Sequence, residues 1–267
     1  MKKVVLITGA SSGIGKSIGD FLINQNFTVY GTSRNPSNYK NSNFSLLQLD
    51  VNDIDSINKS IAIIIKKEGR IDVLINNAGK GITGPLEETP IIEIKKNFDT
   101  NFFGVMQVCN AVLPKMRKQK SGLIINISSI AGDMGLPYRG IYSASKAALS
   151  IYTETLRLET KQFNINVIDV APGDFATNIA AGRFHSPLLK NSAYKKHYSR
   201  VLEQIDSEVD GGLQPIIMAK SIAKIINKTS PKPKYRIGSL LQKAAYKIKF
   251  LLPDTIFEKI MIKQYEL

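Results

Sequence analysis

Apolar residues gather into short, mostly apolar runs at residues 4–8, 28–31, 44–49, 73–75, 123–127 and 165–170. Runs of this kind read as strands buried on both faces. Stretches with helical periodicity, roughly 12–25 residues long, separate most of them. A further run at 235–237 follows the punctuation of Pro231-Lys232-Pro233 and reads as a last strand. The alternation of strand and helix predicts an α/β fold in which a parallel sheet carries helices on both sides.

Two segments fall outside this alternation. Residues 174–212 are polar, dotted with aromatics and weakly periodic, as expected of a lid over a binding site. Residues 239–267 form a basic helical pair broken at Pro253. In its first half Leu240, Leu241, Ala244, Ile248, Leu251 and Leu252 recur at helical spacing, with Lys243 and Lys247 on the other side. Thr255-Ile256-Phe257-Glu258 reads as a capping box that opens the second helix, with Phe257, Ile260, Met261 and Tyr265 on one stripe. The expected organisation is a single domain over 1–238, lid included, followed by an amphipathic helical extension over 239–267.

The chain of 267 residues carries 36 basic and 22 acidic side chains, a net charge of +14. From Ser221 onward ten basic residues face three acidic ones, so half of the excess lies in the last 47 residues. Such a surface suits phosphate-bearing ligands, nucleic acid or anionic lipid, or is simply solvated. No helix-turn-helix, finger or aromatic RNA-binding motif is present, so no nucleic-acid partner is expected. One cysteine, Cys109, excludes an internal disulfide framework and a cysteine-cluster zinc site. The only histidines, His185 and His197, are twelve apart without a cysteine partner, and no metal is expected. The first apolar run stops after four residues, short of a signal-peptide core. No stretch approaches the ~18 apolar residues of a membrane span. A cytoplasmic protein is therefore expected. Its tail is suited to docking on its own domain, on a sister subunit or peripherally on an anionic membrane.

Thr8-Gly9-Ala10-Ser11-Ser12-Gly13-Ile14-Gly15 follows the first strand and opens a helix. Glycines let the backbone turn tightly and let a pyrophosphate approach, and the helix N-terminus offers free N–H groups. The spacing is Gly-x3-Gly-x-Gly. In this the chain resembles the short-chain dehydrogenase/reductase family, from about Lys3 to Gly238, and within it the 17β-hydroxysteroid dehydrogenase-like group. The resemblance implies a Rossmann-type doubly wound parallel sheet of about seven strands, with a helical substrate lid. It also implies nucleotide contacts from Gly9, Ser11, Ser12, Gly13, Ile14 and Gly15, and a homo-oligomer.

After the second strand, Ser33 stands where an NAD site places a carboxylate, and Arg34 follows it. A guanidinium can bind a ribose 2′-phosphate that a carboxylate would repel, so NADP (NADPH) is expected over NAD. The resemblance assigns further cofactor contacts to Asp50 and Val51, and to Asn77, Ala78 and Gly79 of Asn76-Asn77-Ala78-Gly79. Pro172, Gly173 and Thr177 of Ala171-Pro172-Gly173-Asp174-Phe175-Ala176-Thr177 join them.

Tyr142-Ser143-Ala144-Ser145-Lys146 sets a tyrosine and a lysine four apart, on one helix face. A phenol with a reference pKa near 10 transfers protons poorly at neutral pH, and a neighbouring ammonium favours the phenolate. Ser129 lies thirteen residues before Tyr142, just past the fifth strand, where ligands of open α/β sheets bind. The resemblance makes Asn101, Ser129, Tyr142 and Lys146 the catalytic set. Tyr142 is then general acid in reduction and base in oxidation, and Ser129 hydrogen-bonds the substrate oxygen. Lys146 binds the nicotinamide ribose and lowers the tyrosine pKa, and Asn101 completes a proton relay. Tyr142 and Lys146 thus also count among the cofactor contacts.

Met134, Leu136, Tyr138, Phe175, Phe184, Leu188, Leu189 and Tyr194 are the expected substrate lining. Their apolar, aromatic character suits a hydrophobic carbonyl or alcohol of lipid, retinoid or steroid type. The expected function is NADP(H)-dependent interconversion of such a carbonyl and alcohol. The competing reading is a catalytically silent NADP-sensing or membrane-surface binding protein on the same fold.

Overall fold

A computed structural model describes residues 2–39, 41–177 and 182–267. Residues 178–181 of the expected lid therefore lie outside the described residues. The central sheet joins seven strands, β1 (Val4–Ile7), β2 (Thr28–Ser33), β3 (Ser45–Gln48), β4 (Val73–Asn76), β6 (Gly122–Ile127), β7 (Ile165–Pro172) and β9 (Lys234–Ile237). Their order is β3-β2-β1-β4-β6-β7-β9, and every pair is parallel. The chain turns from one half of the sheet to the other between β1 and β4, which leaves a crevice beyond their carboxyl ends.

Alternate side chains of each strand point to opposite faces, and both faces are dry. On one face Val5, Ile7, Val73, Ile75, Ile125 and Val170 meet Ile18 and Leu22 of α1 (Gly13–Ile23). Met218 and Ile222 of α7 (Pro215–Ile226) complete that layer. On the other face Val4, Leu6, Leu74, Ile124 and Val167 pack on Ile57, Ile61 and Ile64 of α2 (Ile54–Glu68). Val108 and Val112 of α4 (Gly104–Gln119) and Leu149 of α5 (Gly140–Thr160) belong to the same core. Asp53 caps α2 by accepting from the N–H groups of Asp55 and Ser56, and Gly69, at φ 71°, ends it.

The lid region holds more order than its weak periodicity suggests. Phe184–His185 forms β8, which pairs in parallel with β5 (Ile82–Thr83). Helix α6 (Lys195–Asp210) buries Tyr198, Val201, Ile205 and Val209 along one stripe. Phe175 is a correction: expected to line the substrate pocket, it is buried in the core beside Met218 and Ile222.

The tail forms α8 (Leu240–Leu251) and α9 (Asp254–Tyr265). The capping box lies elsewhere than expected. It opens α8, where the Ser239 hydroxyl accepts from Gln242 N–H and the Gln242 side chain accepts from Ser239 N–H. Pro253, fixed at φ −54°, starts α9 at Asp254, so Thr255 and Glu258 already sit inside the helix and cannot cap it. Phe257 and Tyr265 of α9 are buried, whereas Ile260 of the expected stripe is exposed.

Candidate active site

A cleft of about 570 Å³ opens at the carboxyl ends of the strands. Gly9, Ser11, Ser12, Gly13, Ile14, Ser33, Arg34, Asp50, Val51, Asn77, Ala78, Gly79, Tyr142, Lys146, Pro172 and Thr177 line it. Gly15 and Gly173 stand behind this wall: a Cβ on Gly15 would strike Asn77 and the Gly9 carbonyl, and one on Gly173 would strike Gln242.

The glycine turn is held from β4. Thr8 Oγ1 accepts from the N–H of Asn77 at 3.0 Å and of Ala78 at 3.1 Å. Asn77 Nδ2 returns bonds to the carbonyls of Thr8 at 3.1 Å and Gly9 at 2.9 Å. Gly9 needs its φ of +64°, and a Cβ there would stand 2.9 Å from Ala78 Cα. At the start of α1 Ser12 makes no side-chain cap, and the first turn carries no acid. The N–H groups of that turn are therefore left for an anion. This cradle fits the pyrophosphate of a dinucleotide.

At the far end β2 runs two residues beyond its expected limit, so Ser33 is its last residue and Arg34 follows directly. Arg34 is exposed and forms no ion pair among the described residues. Asn35, Asn38 and Tyr39 complete this wall around a short 3₁₀ turn, Pro36–Asn38. Sequence reasoning missed these three, because a polar loop after a strand carries no distinctive spacing. Asp50 Oδ1 accepts from Asn52 N–H at 3.0 Å, and Asn52 Nδ2 reaches Thr100 Oγ1 at 3.2 Å, which shapes the opposite wall.

The expected catalytic residues converge on the nearer end. Ser129, buried, caps a 3₁₀ turn (Ile130–Asp133) after β6, its Oγ accepting from Ala131 N–H at 3.1 Å. Helix α5 turns Tyr142 and Lys146 toward it. Lys146 Nζ lies 5.9 Å from the centre of the Tyr142 ring and donates to the Ile127 carbonyl at 2.9 Å. Asn101 is fully buried in a π-helical turn (Asp99–Phe103) between α3 (Ile91–Phe98) and α4. Such wide turns recur at functional sites. Asn101 Oδ1 accepts from Lys80 N–H at 2.8 Å, while Nδ2 faces the Lys80 carbonyl at 2.9 Å and Ser145 Oγ at 3.1 Å. Gly79 joins the two groups: a Cβ there would stand 3.4 Å from Asn101 Oδ1 and 3.5 Å from Lys146 Nζ.

Burial pushes the Tyr142 phenol above its ordinary range, opposed by the Ser129 hydroxyl and the guanidinium groups of Arg139 and Arg183. The Asp174 carboxylate raises it further. Lys146 is itself buried, and burial lowers its pKa to about 8 against the pull of the Asp169 carboxylate.

The substrate side is capped by tyrosines. Tyr138 meets Tyr194 edge-on at 6.4 Å and Tyr198 at 5.2 Å. Tyr138 also packs with Tyr265, Val201, Ile205 and Met261. Arg139 donates to Tyr265 Oη at 2.9 Å and lies 3.7 Å from the Glu208 carboxylate, while Arg183 pairs with Asp206 at 2.8 Å. Met134, Leu136, Phe184 and Leu188 are partly exposed, and Leu189 is largely exposed rather than lining a pocket. His185 Nδ1 lies 3.1 Å from Thr83 Oγ1, and His197 lies beside Arg200. Sequence reasoning missed Arg139 and Tyr265. Arg139 precedes Tyr142 by one helical turn, a spacing that could have drawn attention to it.

The short chain dehydrogenase family matches the chain over residues 3–187. The chain is 44% identical over 257 residues to the 3-ketodihydrosphingosine reductase of Bacteroides thetaiotaomicron, spanning 96% of this chain and 95% of that protein. A crystal structure of a short-chain dehydrogenase from Streptomyces avermitilis superposes with a TM-score of 0.80 at 30% identity, covering 99% of this chain and 97% of that one. A structure of ElxO with NADP bound gives a TM-score of 0.71 at 32% identity, covering 90% and 97%. On its glycine turn, its sheet order and these matches, the chain belongs to the short-chain dehydrogenase family of oxidoreductases.

Proposed function

We propose that the protein is an NADPH-dependent reductase of a ketone on a long-chain hydrophobic substrate, of the kind named for its bacterial relative, 3-ketodihydrosphingosine. The observation that carries the reading is one cleft that has Tyr142 and Lys146 at one end and, at the other, an Arg34 without an ion pair among the described residues and a serine, Ser33, in place of a carboxylate. The reductase reading is supported by the relative's identity across nearly its whole length, and the choice of NADP by Arg34 and by the NADP held by ElxO.

When bound, reduced nicotinamide supplies a hydride for the substrate carbonyl carbon. The protein's part is positioning and proton delivery. Ser129 Oγ donates a hydrogen bond to the carbonyl oxygen and polarises it. As the C=O π bond opens, Tyr142 Oη gives its proton to that oxygen, so carbonyl plus hydride plus proton becomes alcohol. A phenol held above its ordinary pKa stays protonated at neutral pH, as the reductive direction requires. Lys146 holds the cofactor ribose, and its ammonium returns a proton to Tyr142 and regains one from water, with Asn101 and the Lys80 carbonyl orienting that path. Residues 1–238 form the catalytic domain in this reading, and 239–267 an extension that closes the substrate side through Tyr265.

The test is NADPH oxidation with a 3-keto long-chain base, compared with NADH and with short ketones. Turnover favouring NADPH and the long chain is expected. Binding of NADPH without turnover on any ketone would favour the sensing role and overturn the reductase.

A further inference from the structure

Helix α8 is docked with its polarity reversed. An amphipathic helix of a globular domain ordinarily turns its apolar stripe inward. Here no residue of α8 is buried. Leu240, Leu241 and Leu251 are 86%, 78% and 80% exposed, and Ile248 shares their ridge. Polar contacts fasten the opposite side to the domain. Gln242 Nε2 donates to Asp174 Oδ2 at 2.5 Å, and the Arg236 guanidinium stacks 3.2 Å from the centre of the Tyr246 ring. Within the tail, Lys249 Nζ pairs with Asp254 of α9 at 2.7 Å. The helix is therefore held in place by side chains that do not use its apolar face.

Charge identifies what covers that face. Helix α8 contains three lysines and no acidic residue. Lys243 and Lys247 are exposed along the edge of the leucine ridge, instead of lying on the opposite side as the sequence pattern suggests. A second copy docked by a twofold axis would set lysines against lysines with no carboxylate on the helix to pair them. A bilayer with anionic headgroups meets both demands: leucines enter the acyl boundary while lysine stems lie along the surface, their ammonium groups among the phosphates. We infer that α8 is a peripheral docking surface for an anionic lipid bilayer.

The docking surface adjoins the cleft. Gln242, at the N-terminal end of α8, holds Asp174, two residues after the cleft-lining Pro172. Docking through α8 brings the mouth of the site to the membrane plane. The inference does not depend on the substrate, because lipid binding is measured without turnover.

The experiment is flotation of the full chain with vesicles of phosphatidylcholine alone, or mixed three to one with phosphatidylglycerol. We expect flotation with the anionic vesicles, weakened at least tenfold by salt of about 0.5 M and by the triple change Leu240→Ser, Leu241→Ser, Leu251→Ser. Lys243→Gln with Lys247→Gln is expected to weaken it as well, while both variants keep NADPH binding and thermal stability. Equal flotation of the native chain and the leucine variant would overturn the proposal. So would no flotation of the native chain, or a loss of self-association in the leucine variant with lipid binding unchanged, which would make the ridge a subunit contact.

Discussion

Lys146 Nζ donates to the backbone carbonyl of Ile127 at 2.9 Å, so the end of β6 and the middle of α5 are tied together by the group that lies over the Tyr142 ring. One bond of the ammonium is thus spent on positioning, and burial costs the charged form. Its pKa falls from 10.5 to about 8. The unfolded chain then binds more protons than the folded one between these values, so this residue penalises folding fully below pH 8 and progressively less as pH rises toward 10.5.

Lys146→Met is therefore expected to abolish turnover yet stabilise the fold at neutral pH. After the lost bond to Ile127 is discounted, the gain is on the order of 2 kcal/mol. It should shrink toward zero or reverse near pH 10. Urea unfolding of both proteins at pH 7 and near pH 10 checks this; a difference that does not change with pH would contradict it.

Arg34 is exposed at the end of β2 with no carboxylate to hold it among the described residues. A charge-assisted hydrogen bond to a phosphate contributes about 1.5–3 kcal/mol. Arg34→Leu is expected to weaken NADPH roughly 10- to 100-fold and to leave NADH little changed. Fluorescence titration with both nucleotides reads the ratio, and equal weakening would remove Arg34 from the assignment.

Asn77 acts on the glycine turn through two carbonyls, those of Thr8 and Gly9. Asn77→Ala leaves both acceptors without that donor and frees the turn that faces the phosphates. A stability loss of about 1–3 kcal/mol and NADPH binding weakened about tenfold are expected. Thermal melting with and without NADPH separates the two effects; a variant that melts and binds like the parent would contradict the clamp.

Much of this architecture was legible because the central strands are buried on both faces, which leaves short apolar runs such as 73–75 and 123–125. The glycine turn and the Tyr142–Lys146 pair were legible through spacing, and Asn101 and Ser129 through the family resemblance; the structure brings them to one cleft and its inner wall. What escaped depends on distant partners. The β5–β8 pair has two residues per strand, too few for any period. The π-helical turn around Asn101 has no marker in Asp99-Thr100-Asn101-Phe102-Phe103. Phe175 was an aromatic among lid residues, and distant partners in the core that includes α7 bury it. The α8 stripe was visible as a stripe. Which side faces the protein is decided by Asp174 and Arg236, far from it in the chain.

The central claim is that Tyr142 gives the proton that completes ketone reduction in this cleft. Its most direct test is a single-turnover measurement of NADPH oxidation with a 3-keto long-chain base, using the native protein and Tyr142→Phe at matched, saturating cofactor. The account predicts that the phenylalanine variant binds NADPH as tightly as the native protein and loses turnover by about a thousandfold, within the range of a lost general acid. Turnover within a few-fold of native, with NADPH bound, would contradict it.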